Sequence, residues 1–168
     1  PGWFYHPEED DKVKTVDQLT DLYYRSVGHN ATLLLNFPVD RNGLIHPTDS
    51  LNAVSFHQRV QKELADNLLS SAKVVASDER GGKFKVRAAT DGQYETYWAT
   101  NDGVTSADLT FTFTQPTKMN RVMIQEYIPL GQRVKSFVVE YKEGDQWLPV
   151  KCNEDTTTVG YKRLLRFE

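Results

Sequence analysis

From Ala107 to Thr114 apolar and polar residues alternate without a break, with Ala107, Leu109, Phe111 and Phe113 on one side and Asp108, Thr110, Thr112 and Thr114 on the other. A period of two buries a single face only if the chain is extended, because successive side chains of a strand point to opposite faces. The segment therefore predicts a half-buried strand. Val122-Met123-Ile124 and Val134 to Tyr141 read as further strands, and Glu143-Gly144-Asp145 as a hairpin turn leading into Trp147-Leu148-Pro149-Val150. Tyr161 to Glu168 reads as a last strand without a closing turn. Short strands with turns about every 8–12 residues predict an antiparallel sandwich or barrel.

The first half has a different rhythm. Thr15 is a good helix N-cap and Gln18 completes a capping box, with Val16, Leu19, Leu22, Tyr23 and Ser26 at helical spacing and Gly28 as the expected C-cap. Thr32-Leu33-Leu34-Leu35-Asn36-Phe37, bounded by Asn30 and Pro38, predicts a buried strand of a parallel sheet. Asn42-Gly43 marks a turn. A second helix is expected from Pro47-Thr48-Asp49, with Leu51, Val54, Val60, Leu64 and Leu68 on its buried side. Helix, buried strand, helix is an α/β order. The polar, glycine-bearing stretch Ser77 to Gly82 separates the two rhythms, giving expected units of 1–76 and 77–168.

Composition excludes some roles. A formal net charge of −3 argues against a nucleic-acid partner. No apolar run approaches the roughly 20 residues needed to cross a membrane as a helix. Cys152 is the single cysteine, so no disulfide can form within the chain. No signal-peptide pattern opens the sequence. Both ends read as cuts through a larger fold: Pro1-Gly2-Trp3-Phe4-Tyr5 looks like the middle of a domain.

Few residues carry chemistry by pattern alone. The histidines at 6, 29, 46 and 57 have no metal-ligand spacing, and no G-x-S-x-G elbow, P-loop or Rossmann glycine pattern is present. Four adjacent acids, Glu8 to Asp11, cannot all face one pocket and read as a solvated loop ahead of a helix. Trp3, Tyr5 and His6 could either stack on and hydrogen-bond a sugar ring or fill a core. The stretch Asp91-Gly92-Gln93-Tyr94-Glu95-Thr96-Tyr97-Trp98 offers oxygen ligands of the kind calcium takes, although spacing alone favours a turn closed by Asp91 under Trp98. Lys83, Lys85 and Arg87 are expected to alternate along one strand face.

Two longer stretches go beyond such patterns. Ser26-Val27-Gly28-His29-Asn30-Ala31-Thr32-Leu33-Leu34-Leu35-Asn36-Phe37-Pro38, followed by Gly43-Leu44-Ile45, resembles the end of the catalytic barrel of glycoside hydrolase family 29 α-L-fucosidases, with Asn42 where Asp is common. Pro1 to Pro7 resembles that family's last barrel-strand segment, whose aromatics border the fucose pocket. Asp91-Gly92 with Thr96-Tyr97-Trp98, Gln125 to Val134, and Thr157 to Arg163 resemble the discoidin-like, or family 32 carbohydrate-binding, sandwich that follows the barrel in one branch of these enzymes.

The resemblance implies an α/β barrel tail over 1–76, followed by an all-β antiparallel jelly-roll or discoidin-like sandwich over 77–168 that lacks its closing strands. It implies part of a retaining α-L-fucosidase acting on a fucosylated oligosaccharide or glycoprotein glycan, with the remainder of the barrel as partner. Trp3, Tyr5 and His6 become the expected substrate-binding residues. No catalytic residue is expected, because nothing matches the nucleophile motif. No cofactor is expected for catalysis, and a structural calcium at Asp91 and Thr96 is the one metal site suggested. The implied location is extracellular, periplasmic or another glycan-processing compartment. The alternatives are a non-catalytic glycan-binding or adhesion module and an inactive relative that keeps the fold.

Overall fold

Thr15 starts the first helix, α1 (Val16–Ser26), by the capping box its sequence predicts. Its hydroxyl accepts from the Gln18 backbone N–H at 3.3 Å, while Gln18 Oε1 accepts from the Thr15 N–H at 3.0 Å. In the computed structural model, which describes residues 2–168 and leaves Pro1 outside the described residues, α1 buries Leu19, Thr20 and Tyr24. The helix ends where the sequence places its stop, at Ser26 with Val27 as C-cap, but Gly28 is not the left-handed residue. Asn30, at φ +68°, takes the left-handed position, and Ala31 N–H closes on Ser26 O at 2.9 Å. Gly28 has a different role, described below.

The Asn42-Gly43 turn forms as expected. Asp40 Oδ1 accepts from the N–H groups of Asn42 and Leu44, at 2.8 and 2.9 Å. Helix α2 (Pro47–Glu63) begins at the predicted proline and packs against α1, with Tyr23 edge-on to Phe56 at 6.0 Å. Two expectations for this half fail. Thr32 to Phe37 runs extended but joins no ladder, and Leu34 is 87% exposed. The side of α2 expected to be buried is covered only in part: Val60 and Leu64 are half-buried, whereas Leu51 and Val54 are 66% and 55% exposed. Both failures have one physical cause. Among the described residues no element lies against these apolar groups.

The second half is antiparallel throughout, in three two-stranded ladders. Strand β1 (Lys73–Ala76) pairs with β2 (Leu109–Thr112), β3 (Arg121–Ile124) with β6 (Arg163–Arg166), and β4 (Glu140–Glu143) with β5 (Gln146–Pro149). The alternating segment supplies β2, where Leu109 and Phe111 face Ala76 and Val74. Strand β1, ahead of the glycine-bearing stretch, is hydrogen-bonded to β2, which follows it. Lys83, Lys85 and Arg87 are not on a strand. Gly81 and Gly82 turn the backbone, and 3-10 helices follow at Gly82–Phe84 and Val86–Ala89. Of the strand expected over Val134 to Tyr141, only Glu140 and Tyr141 enter a ladder.

The core sits where α1 meets β6. Leu164, Leu165, Tyr24, Val159, Leu19 and Phe167 are buried. Strand β6 is covered on both faces, so it does not alternate. Its free edge is capped by the chain after α1, where Leu164 N–H donates to Gly28 O at 3.1 Å. A knot of charges crosses the same joint. Arg166 Nε donates to Glu154 Oε1 at 2.5 Å and its terminal nitrogen to Asp21 Oδ1 at 2.8 Å, with its guanidinium 4.4 Å from the centre of the Tyr24 ring. The Tyr24 hydroxyl donates to Glu63 Oε2 and accepts from Arg121 Nε, both at 2.9 Å. Such a contact joins α1, α2, β3 and β6 in one structure.

Candidate functional site

The aromatic segment ahead of the 3-10 helix Pro7–Lys12 borders a cleft of about 460 Å³. Trp3, Tyr5 and His6 all line it, together with Asp10, Asn36 and Leu34. Trp3 is 76% exposed, so it is not a core residue of this chain. Its backbone is tethered to the extended segment by Asn36 Nδ2, which donates to Trp3 O at 3.0 Å. His6 lies at the exposed rim, 3.7 Å from Glu8.

Tyr5 is held more firmly. Its hydroxyl donates to Asp10 Oδ2 at 3.2 Å, and the same oxygen lies 3.5 Å from His46 Nε2. The rings of Tyr5 and His46 stack at 6.5 Å and 25°. Burial, followed by the Asp10 hydrogen bond and charge, raises the Tyr5 phenol above its ordinary value. The acidic run is therefore not uniformly solvated. Glu9 turns to the Gly2 N–H at 2.7 Å and Asp10 to Tyr5, while Glu8 and Asp11 stay exposed. Residue type alone missed Asp10, Asn36 and His46. The one available signal was His46-Pro47 at a helix start, which places an imidazole as N-cap.

Asp91 and Thr96 are brought together, in the other unit. Asp91 Oδ2 accepts from the Thr96 hydroxyl at 2.6 Å and Oδ1 from the Gln93 N–H at 2.9 Å. These two bonds, Thr96 first, hold the Asp91 carboxyl below the usual carboxylate range. Calcium takes about six to eight oxygens. Here a single carboxylate is engaged on both oxygens, and the described residues include no cluster of three His, Cys, Asp or Glu able to hold a metal. The hydrogen bonds present are those of a closed turn. Accordingly, Asp91→Ala is expected to destabilise the chain by about 1 kcal/mol through loss of the turn, whereas a chelator should leave Tm unchanged in thermal unfolding.

The loop carries Tyr94 and Tyr97 into a cluster of tyrosines. Tyr97 stacks on Tyr127 at 4.7 Å and 13°, and Tyr94 lies 5.7 Å from Tyr161. The three segments that resemble a discoidin-like sandwich thus meet at one place. The second and third are fixed to each other by Glu126, whose carboxylate accepts from the N–H groups of Arg133, Val134 and Gly160 at 2.6–2.8 Å.

Comparisons with known proteins agree with this geometry. The F5/8 type C domain model matches residues 73–167. A Bacteroides thetaiotaomicron structure described as that of a candidate alpha-L-fucosidase superposes with a TM-score of 0.95 at 43% identity, covering 100% of this chain and 37% of that one. A Ruminococcus gnavus GH29 fucosidase in complex with fucose gives a TM-score of 0.88 at 37% identity, over 98% of this chain and 33% of that one. Alpha-L-fucosidase 1 of Arabidopsis thaliana is 35% identical over 172 residues, which are 99% of this chain and 33% of the plant protein. The chain spans about a third of the length of these relatives.

Proposed function

We propose, from the premise that this chain belongs to the F5/8 type C domain family across residues 73–167, that it is the accessory sandwich and adjoining barrel end of a retaining α-L-fucosidase. The observation that carries this reading is the extent of the similarity. It runs through residues 1–72 as well as the sandwich, and the proteins it reaches are named as fucosidases. The structure of the first half supports it too. An extended, unpaired Thr32–Phe37 segment and the bare apolar groups of Leu34, Leu51 and Val54 suit a strand and helix at the end of a (β/α) barrel. Exposed apolar surface of that kind calls for a covering partner. Here the partner is the remainder of the barrel.

In this reading Trp3, Tyr5 and His6 face the fucosyl ring from the cleft. The carboxylate pair that a retaining hydrolysis needs, about 5 Å apart, comes from the rest of the barrel, and the hydrolysis uses no cofactor. The substrate is a fucosylated oligosaccharide or glycoprotein glycan, met in an extracellular, periplasmic or other glycan-processing compartment.

The test is hydrolysis of an aryl α-L-fucoside by the whole protein that carries this chain. Trp3→Ala is expected to lower kcat/KM by more than tenfold, about 1.4 kcal/mol of transition-state stabilisation. An unchanged kcat/KM would remove Trp3 from the site. No turnover by the whole protein, with retained binding to fucosylated glycans, would favour a non-catalytic glycan-binding module.

A further inference from the structure

We propose that Asp10 and His46 are positioning residues which orient the Tyr5 hydroxyl so that its oxygen accepts a hydrogen bond from a hydroxyl of a sugar in the cleft. This rests on the reading of the cleft as a fucosyl site and assigns a direction to one of its contacts. The chain of donors runs one way. The Thr48 N–H donates to His46 Nδ1 at 3.3 Å, so the neutral ring carries its proton on Nε2. That nitrogen faces Asp10 Oδ2 at 3.5 Å, and the Tyr5 hydroxyl donates to the same oxygen at 3.2 Å.

A phenol has one proton and two lone pairs. With the proton committed to Asp10, what Tyr5 offers the cleft is its oxygen as acceptor. An ionised partner strengthens the bond. The His46 ring stacks beside Tyr5, and His46 is itself fixed as N-cap of α2. The aromatic segment, the acidic run and the second helix are thereby coupled at one oxygen. None of the three residues was linked to the others by sequence spacing.

The experiment uses the whole protein and a panel of aryl α-L-fucosides deoxygenated singly at each ring hydroxyl. Wild type should lose kcat/KM with each deletion. Tyr5→Phe should lose about tenfold on the parent substrate and show no further penalty at one position, the hydroxyl that donates to Tyr5. Asp10→Ala removes the acceptor of the phenol proton, leaving the hydroxyl free to rotate, and should abolish the same positional penalty. His46→Asn keeps a good N-cap but loses the ring donor, so it should weaken that penalty while Tm holds.

If Tyr5→Phe, Asp10→Ala and His46→Asn all keep the wild-type pattern of penalties, the positioning role is overturned and the fucosidase reading stands. A fall in Tm with that pattern intact likewise reduces Asp10 and His46 to structural residues. A wild-type protein inactive on every α-L-fucoside overturns the fucosidase reading itself, and the acceptor role with it.

Discussion

Arg166→Ala is expected to lower the unfolding free energy of this chain by about 3 kcal/mol, because it leaves the buried Glu154 carboxylate without its cation. Glu154 is buried, and besides Arg166 Nε its carboxylate accepts only from the Arg166 backbone N–H, at 2.6 Å, among the described residues. The guanidinium also covers the Tyr24 ring, so apolar contact is lost with the charge. Asp21→Ala, which removes the more exposed partner of the same arginine, should cost under about 1 kcal/mol. Urea unfolding followed by near-ultraviolet circular dichroism measures both. Equal effects of the two substitutions would show that the joint is not organised around the Arg166–Glu154 pair.

The same joint sets the pH range of stability. The Arg166 hydrogen bond, against burial, holds the Asp21 carboxyl below its ordinary value. Burial raises Glu63, but hydrogen bonds from Arg59 and Tyr24 and the charge of Arg121 outweigh it and leave this carboxyl lowered as well. Groups lowered by folding stabilise above their unfolded pKa and lose that contribution as pH falls through the folded value. Tyr24 is the opposite case. Burial, then its bond to Glu63, pushes it up to about 12, so its contribution is complete below the ordinary tyrosine value and fades as pH rises toward 12. Unfolding free energy should therefore fall on acidification below the ordinary carboxylate range and again in strong alkali. Arg166→Ala should make the acid limb shallower.

What was legible in the sequence depended on how far apart the interacting residues lie. Thr15 with Gln18, Asp40 with Asn42 and Leu44, and the Glu143–Gln146 hairpin are closed by local hydrogen bonds or by a turn, and each formed as read. The strands with alternating residues were also readable, since periodicity reports one covered face. Leu33, Leu34 and Leu35 join no ladder among the described residues, because apolarity reports a need for cover without naming what provides it. Tyr5, Asp10 and His46 were missed as a group because 36 residues separate the last two, and no pattern rule spans that gap. Gly28 and Gly160 lay within resembling motifs, and Gly28 was rightly read as marking the helix stop, but local pattern could not show what either glycine packs against. The structure assigns both to a contact between the motifs.

Gly160→Ala should cost this chain about 3 kcal/mol, near the upper end for overpacking, because two penalties coincide there. Residue 160 holds φ +66°, and a Cβ would lie 2.5–2.6 Å from the Asn30 amide. That amide cannot retreat freely, since Asn30 Nδ2 donates to Val159 O at 3.0 Å and its Oδ1 accepts from the Lys162 N–H at 2.8 Å. Gly28→Ala meets a harder wall: a Cβ there would lie 2.3 Å from Tyr24 O and 2.9 Å from Leu164 Cβ, neither on a flexible side chain's far end. The two sites can be told apart by a second substitution. Asn30 is itself at φ +68°, so Asn30→Gly is tolerated by the backbone and clears space opposite residue 160, at the expense of two hydrogen bonds. In the Gly160→Ala background it should recover at least about 1 kcal/mol of coupling, while with Gly28→Ala it should recover nothing. Additive behaviour in the first pair would mean that the left-handed backbone, rather than the meeting of the two motifs, demands glycine at 160.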